Sequence, residues 1–306
     1  MPLSTSRRVA LLTGASLALL TGCGSSSGSS SGTRAPDRVA VVASTNVWGD
    51  IARRIGGDRV DVTSVIGDPD QDPHSYKADP RNQLALSKAR VVIENGGGYD
   101  DLVDHMLKGG HNESAEVINA VDVSGRTAPG GGELNEHVWY DFPTVAEVAD
   151  RISTALTEAD PGDAAAFEKN TTAFKARLAP LEAQEARIKK AHGGDGIAVT
   201  EPVPLYMTEA SGLVNRTPTQ FSEAIEEGDD VSPRVLQRSL ALFSGKKVKA
   251  LVCNEQTSGP QTEKAEAAAE AAGLPVVPVT ETLPRGEDYL GWMTANLDTL
   301  ASALNK

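Results

Sequence analysis

The residues best suited to coordination chemistry lie in two short phrases. "DPDQDPHSY" (68–76) sets His74 beside Asp72 and Pro73, and "NEHVWYDFP" (135–143) sets His137 ahead of Tyr140 and Asp141. The chain has only five histidines, so two in acid- and proline-rich phrases need a reason. Two carboxylates, Glu201 and Glu281, close the β-branched runs "GIAVTE" and "PVVPVTE". Imidazole nitrogen and carboxylate oxygen together form a shell suited to a divalent transition metal. Taken singly, each of the four is also what a solvated loop or strand end carries. Their spacing does not join them, because they come from four separate loops.

The elements that must position them follow from hydrophobic period. In the first half, strands are expected at 39–44, 60–65, 90–95 and 116–121, and helices at about 46–55, 79–89 and 99–108. A helical stripe then follows at Val145, Val148, Ile152 and Leu156. Residues 163–192 are helix formers without a turn signal, with Pro180 expected to kink them and "GGDG" to stop them. The second half repeats the alternation, with strands expected at 196–201, 214–217, 248–254 and 275–281. Its helices are expected near 203–211, 219–227, 232–244, 262–272 and 287–304. This alternation implies α/β architecture with parallel sheets in two βα lobes. In such sheets ligands gather beyond the carboxyl ends of strands, where all four candidate ligands fall.

The amino-terminal segment reads as export machinery. Arg7 and Arg8 precede an apolar run, Val9–Leu20, that ends in "LTGC", the order of a lipoprotein signal peptide with Cys23 as the lipidated residue. The twin arginine leaves both the general and the twin-arginine export routes open. "GSSSGSSSGT" then serves as a flexible tether. The expected division is a signal peptide at 1–22, a tether at 23–36, an amino-terminal lobe at 37–160, a linking helix at 161–194 and a carboxyl-terminal lobe at 195–306.

Losing Arg7 and Arg8 with the leader takes the net charge from −13 to about −15. That sign argues against a nucleic-acid partner and is compatible with a cationic ligand. With Cys23 acylated, Cys253 has no disulfide partner and is expected to be a buried thiol. "GGGY" at 96–99 follows a strand but lacks the Gly-Lys-Ser/Thr of a phosphate-binding loop.

The body from about residue 38 to 304 resembles the zinc/manganese solute-binding proteins of bacterial ABC transporters. The phrases that carry the resemblance are "STNVWGDIARRIGGDRVDVTSVIGDPDQDPHSY", "VVIENGGGYDDLV", "EHVWYDFPTV", "TEPVPLYMTEASGL" and "NEQTSGPQTEKAEAAAEAAGLPVV". It implies two βα lobes joined by one long backbone helix, with a metal cleft between them. The metal ligands it implies are His74, His137, Glu201 and Glu281, with Glu255 in "CNEQ" as the alternative carboxylate. Two departures stand out: Glu201 takes a place where the family often has histidine, and no histidine-rich loop precedes His137. Two histidines and two carboxylates resemble the manganese-type shell, whereas divalent affinities favour zinc. The metal is therefore open between Zn2+ and Mn2+.

Asp72 and Asp141 are candidates to bond the imidazole nitrogens that face away from the metal. The resemblance further implies an ABC permease and ATPase as partners and an extracytoplasmic, lipid-anchored monomer without enzymatic activity. A surface adhesin and a metallohydrolase are the competing readings. The chain has no HExxH, and four protein ligands would leave no open position for a catalytic water.

Overall fold

The structure, a computed structural model, describes residues 38–69, 76–77, 79–128 and 134–306. The signal peptide, the tether, Cys23, Asp72 and His74 lie outside the described residues. In the first half the chain runs β1 (Val39–Thr45), α1 (Asn46–Gly56), β2 (Val60–Ile66), α2 (Pro80–Leu86), β3 (Val91–Glu94), α3 (Asp101–Gly110), β4 (Glu116–Asn119), α4 (Ala120–Ser124) and α5 (Phe142–Ala159). The long α6 (Ala164–His192) follows. The second half runs β5 (Gly196–Val199), α7 (Leu205–Ala210), β6 (Val214–Asn215), α8 (Thr219–Glu226), α9 (Pro233–Ser244), β7 (Leu251–Asn254), α10 (Pro260–Ala271), β8 (Val276–Val279) and α11 (Tyr289–Leu304).

Two four-stranded parallel sheets result, ordered β2-β1-β3-β4 and β6-β5-β7-β8. Both place the first strand of their half inside the sheet. Strand residues alternate between two cores, as a period of two requires. On β1, Val41 and Ala43 enter one core while Val42 enters another with Leu86, Val103 and Met106. On β7, Val252 and Leu251 divide in the same way. The first of these cores takes residues from both sheets and from α1, α5, α6 and α11, so one continuous apolar layer joins the two lobes.

Helix α6 supplies the axis of that layer. It spans roughly 44 Å at 1.5 Å per residue, and Pro180 lies inside it without breaking it. Its buried positions are Phe167, Thr171, Phe174, Leu178, Leu181, Glu185 and Ile188, an alternation of four and three residues that keeps one stripe inward. The helix packs against α1, α5, α7 and α11. Helix α11 returns to the first lobe, where Asp50 of α1 accepts from the Tyr289 backbone N–H at 3.0 Å and Arg54 pairs with Asp288 at 2.6 Å.

Several element ends fall short of the sequence expectation, among them β7, which starts at Leu251 rather than 248, and α2, which stops at Leu86 rather than 89. Strand β4 stops at Asn119 rather than at 121 because the Asn119 side chain caps α4, accepting from Asp122 N–H at 2.9 Å. Its amide also donates to Glu94 at 2.8 Å. The Asn119 side chain crowds Gly96, where a Cβ would meet it at 2.2 Å and where φ is +78°. Only glycine fits there, so the glycine run turns the chain rather than cradling phosphate.

Glu185 is the one carboxylate in the α6 stripe, 6% exposed. Burial, with the Asp141 and Glu182 charges beside it, pushes it from 4.5 up to about 8. The folded chain thus holds this proton more tightly than the unfolded chain. Stability is full below the unfolded value and falls as pH rises towards the folded one. Glu185→Gln is expected to raise the Tm at about pH 9 and leave it unchanged at about pH 4, as thermal melts at the two pH values would show.

Candidate metal site between the lobes

The loops leaving the carboxyl ends of the strands in the two sheets meet one another. Asn46, after β1, exchanges two 2.9 Å hydrogen bonds with the Leu283 backbone after β8. Pro69, after β2, accepts from Gln256 Nε2 at 2.9 Å and Thr282 Oγ1 at 3.2 Å. Tyr140 donates to the Thr280 carbonyl at 2.7 Å, and Tyr289 donates to that of Trp139 at 2.7 Å. Trp139, Tyr140 and Phe142 are at most 1% exposed, and burying a side chain of this kind contributes about 2 kcal/mol. The phrase carrying His137 is therefore fixed by its aromatic residues.

His137 is wholly buried, with its ring edge-on to Tyr99 (5.8 Å) and Trp139 (5.0 Å). Its protonation pattern follows from Asn135. Asn135 Oδ1 accepts from the His137 backbone N–H at 3.1 Å, and Asn135 Nδ2 donates to the Pro202 carbonyl at 3.0 Å. One partner can only donate and the other only accept, so the amide has one possible orientation. The 2.8 Å contact between His137 Nδ1 and Asn135 Oδ1 then requires the proton on Nδ1. In the neutral ring Nε2 is the acceptor, and Glu281 Oε2 lies 3.7 Å from it. Two acceptors facing each other in a buried site require a proton or a metal ion between them.

Glu281, 1% exposed, follows β8, and its backbone N–H donates to Gln256 Oε1 at 2.6 Å. Its Oε2 accepts from Tyr99 at 3.1 Å and its Oε1 from Asn254 Nδ2 at 2.7 Å. Glu201, 2% exposed, follows β5 and accepts through Oε2 from the same Asn254 amide nitrogen. Glu201 Oε1 is buried with no hydrogen-bond partner among the described residues. Burial first, then the charge of Glu281, pushes Glu201 up to about 7.

Three of the four expected ligands, His137, Glu201 and Glu281, therefore converge from both lobes. Glu255 does not join them: it is exposed, because the chain alternates sides at the end of β7 and turns Asn254 inward instead. Nor does Asp141 hold the His137 ring. Its carboxylate is engaged by Arg126 at 2.9 Å and Thr144 at 2.5 Å, and Asn135 takes the place beside Nδ1. Sequence reasoning passed over Asn135, Asn254 and Tyr99. The spacing of Asn135, two residues before His137, is the Asx-turn signal that could have revealed it.

On the Nδ1 side, a cavity of about 1020 Å³ opens between the lobes, lined in part by Glu136, Glu223, Glu226, Arg126 and Tyr206. Glu136, His137 and Glu226 each offer an atom within 4.8 Å of the others. The proton on Nδ1 leaves the lone pair of the neutral ring on Nε2, which faces Glu281.

Residues 41–303 match the family described as zinc-uptake complex component A, periplasmic. The chain belongs to this family. The manganese-binding lipoprotein MntA of Bacillus subtilis is 34% identical over 166 residues, a match spanning 53% of each chain. The iron ABC transporter substrate-binding lipoprotein MtsA of Streptococcus pyogenes is 26% identical, spanning 98% of this chain and 99% of its own. Among solved structures, the crystal structure of ZnuA superposes with a TM-score of 0.73 at 24% identity, covering 87% of this chain and 99% of its own. The periplasmic zinc binding protein TroA from Treponema pallidum gives 0.74 at 21% identity with the same coverage. These likenesses establish the fold: two parallel-sheet α/β lobes with a long helix between them.

Asn254→Ala removes the donor that the two carboxylates share. It is expected to weaken Zn2+ or Mn2+ binding about tenfold, measured by competition titration, with the circular dichroism spectrum unchanged.

Proposed function

We propose that His74, His137, Glu201 and Glu281 bind one divalent transition-metal ion in the cleft between the lobes, for delivery to an ABC importer. The observation that carries this reading is the convergence of His137, Glu201 and Glu281, buried and contributed by both lobes, around an imidazole acceptor that faces a carboxylate. Membership of the uptake family makes the chain a transport component and not an enzyme. The cargo is Zn2+ or Mn2+, the metals named for the zinc-uptake family and for the manganese-binding relative; another relative is named for iron. Oxygen donors at two of four positions suit the harder Mn2+, while intrinsic affinity favours Zn2+.

The lobes in this reading are residues 37–160 and 195–306, with 161–194 joining them. Cys23 carries the lipid that holds a monomeric body at the outer face of the membrane, and the partners are a permease and its ATPase. The lipoprotein names of the relatives support the anchor. No helix among the described residues is long and apolar enough to cross a membrane.

His137→Ala is expected to lower Zn2+ and Mn2+ affinity at least about 100-fold. Calorimetry giving wild-type affinity would refute the site.

Protons compete with the metal for the same atoms. Burial by itself lowers the His137 pKa, but the Glu281, Glu136 and Glu226 carboxylates outweigh it and the value is raised. Glu201 titrates at about 7. Metal binding therefore releases protons, and affinity falls as pH drops below about 7. Titrations in buffers of different ionisation enthalpy measure the released protons, and a count of zero at about pH 6 would contradict the assignment.

A further inference from the structure

Asn135 makes more contacts with the site than any single role requires. Its Oδ1 accepts from both the backbone N–H (3.1 Å) and Nδ1 (2.8 Å) of His137, in the first lobe. Its Nδ2 donates to the carbonyl of Pro202 (3.0 Å), the residue that follows Glu201 in the second lobe. Its own carbonyl accepts from the Tyr206 hydroxyl (2.6 Å), at the start of α7. The Pro202 carbonyl also accepts from the Leu205 N–H at 3.0 Å, so the turn after Glu201 is bonded at the point that Asn135 touches. From the other side, Asn95 Nδ2 fixes the neighbouring Glu136 carbonyl at 2.9 Å.

We propose that Asn135 is a positioning residue that couples the orientation of the His137 ring to the apposition of the two lobes. The inference rests on His137 and Glu201 being metal ligands. Asn135 does not touch the ion. Its oxygen fixes the ring tautomer that leaves Nε2 as the donor atom, and its nitrogen holds the Glu201 loop in the register that brings the second carboxylate to the same point. Separating the lobes breaks the Pro202 and Tyr206 bonds and loosens the amide whose other end orients the ring. A carboxylate keeps the acceptor but cannot donate to a carbonyl, so Asn135→Asp separates the two halves of the function.

The test compares wild type, Asn135→Ala, Asn135→Asp and His137→Ala by Zn2+ competition titration, with amide hydrogen exchange over residues 203–206 of the zinc-free chain. Asn135→Ala is expected to bind Zn2+ about 10- to 100-fold more weakly and to exchange about tenfold faster in that segment. Asn135→Asp, which keeps the acceptor for the ring but loses the bond to Pro202, is expected to fall between wild type and Asn135→Ala in affinity, about three- to tenfold below wild type, while exchanging as fast as the alanine variant. Wild-type affinity in Asn135→Ala overturns the proposal. So does an Asn135→Asp protein as weak as Asn135→Ala or as tight as wild type, or unchanged exchange in both variants. Wild-type Zn2+ affinity in His137→Ala refutes the metal site itself, whereas its loss there with full retention in Asn135→Ala refutes only the coupling.

Discussion

Two like-charged carboxylates buried together are unfavourable unless something holds them, and here one amide nitrogen does so. Asn254 Nδ2 donates to both Glu201 and Glu281, which lie at the ends of β5 and β8 on either side of β7. The remaining pressure of that confinement appears in Glu201, pushed up to about 7 by burial and by Glu281. Tyr99 from the first lobe donates to Glu281, and the His137 ring presents Nε2 to it. The site is a concentration of buried acceptors, and the proposed function assigns the charge that balances it to a divalent cation.

Keeping that geometry requires that the two lobes not drift. The continuous core around α6, which takes side chains from both sheets, provides the rigid part. Polar pins then set the register of the facing loops: Asn46 with Leu283, Pro69 with Gln256 and Thr282, Tyr140 with Thr280, and Asn135 with Pro202. Buried hydrogen bonds of this kind contribute modest net energy, but a buried group left unpaired costs more. They therefore select one arrangement of the loops over near alternatives.

Much of the fold was legible in the residues. The β-branched runs and the amphipathic stretches between them are strong periodic signals, and the two parallel sheets follow from their alternation. The long α6 was visible as helix formers without a turn signal, and Pro180 did not break it. The end of β4 was misplaced because a side-chain cap at Asn119 outweighs the apolar continuation. At the site, Glu201 and Glu281 were identifiable as carboxylates closing β-branched runs and His137 by its acid-rich phrase, and the family resemblance is what grouped them as candidate ligands. Glu255 was misread because one residue of strand alternation separates an inward from an outward side chain. Asp141 was misread because Arg126, fifteen residues away, claims its carboxylate.

By itself, the sequence determined the residue types available for coordination, the α/β alternation and the family, since these depend on local pattern and on phrases that stay contiguous. Tertiary structure alone decided which polar residues share a buried point. Asn135, Asn254 and Tyr99 belong to the site only because segments 27 to 182 residues apart are pressed together. The tautomer of His137 was likewise settled by Pro202, 67 residues from Asn135, because a hydrogen-bond acceptor across the lobe interface fixes which way one amide must point.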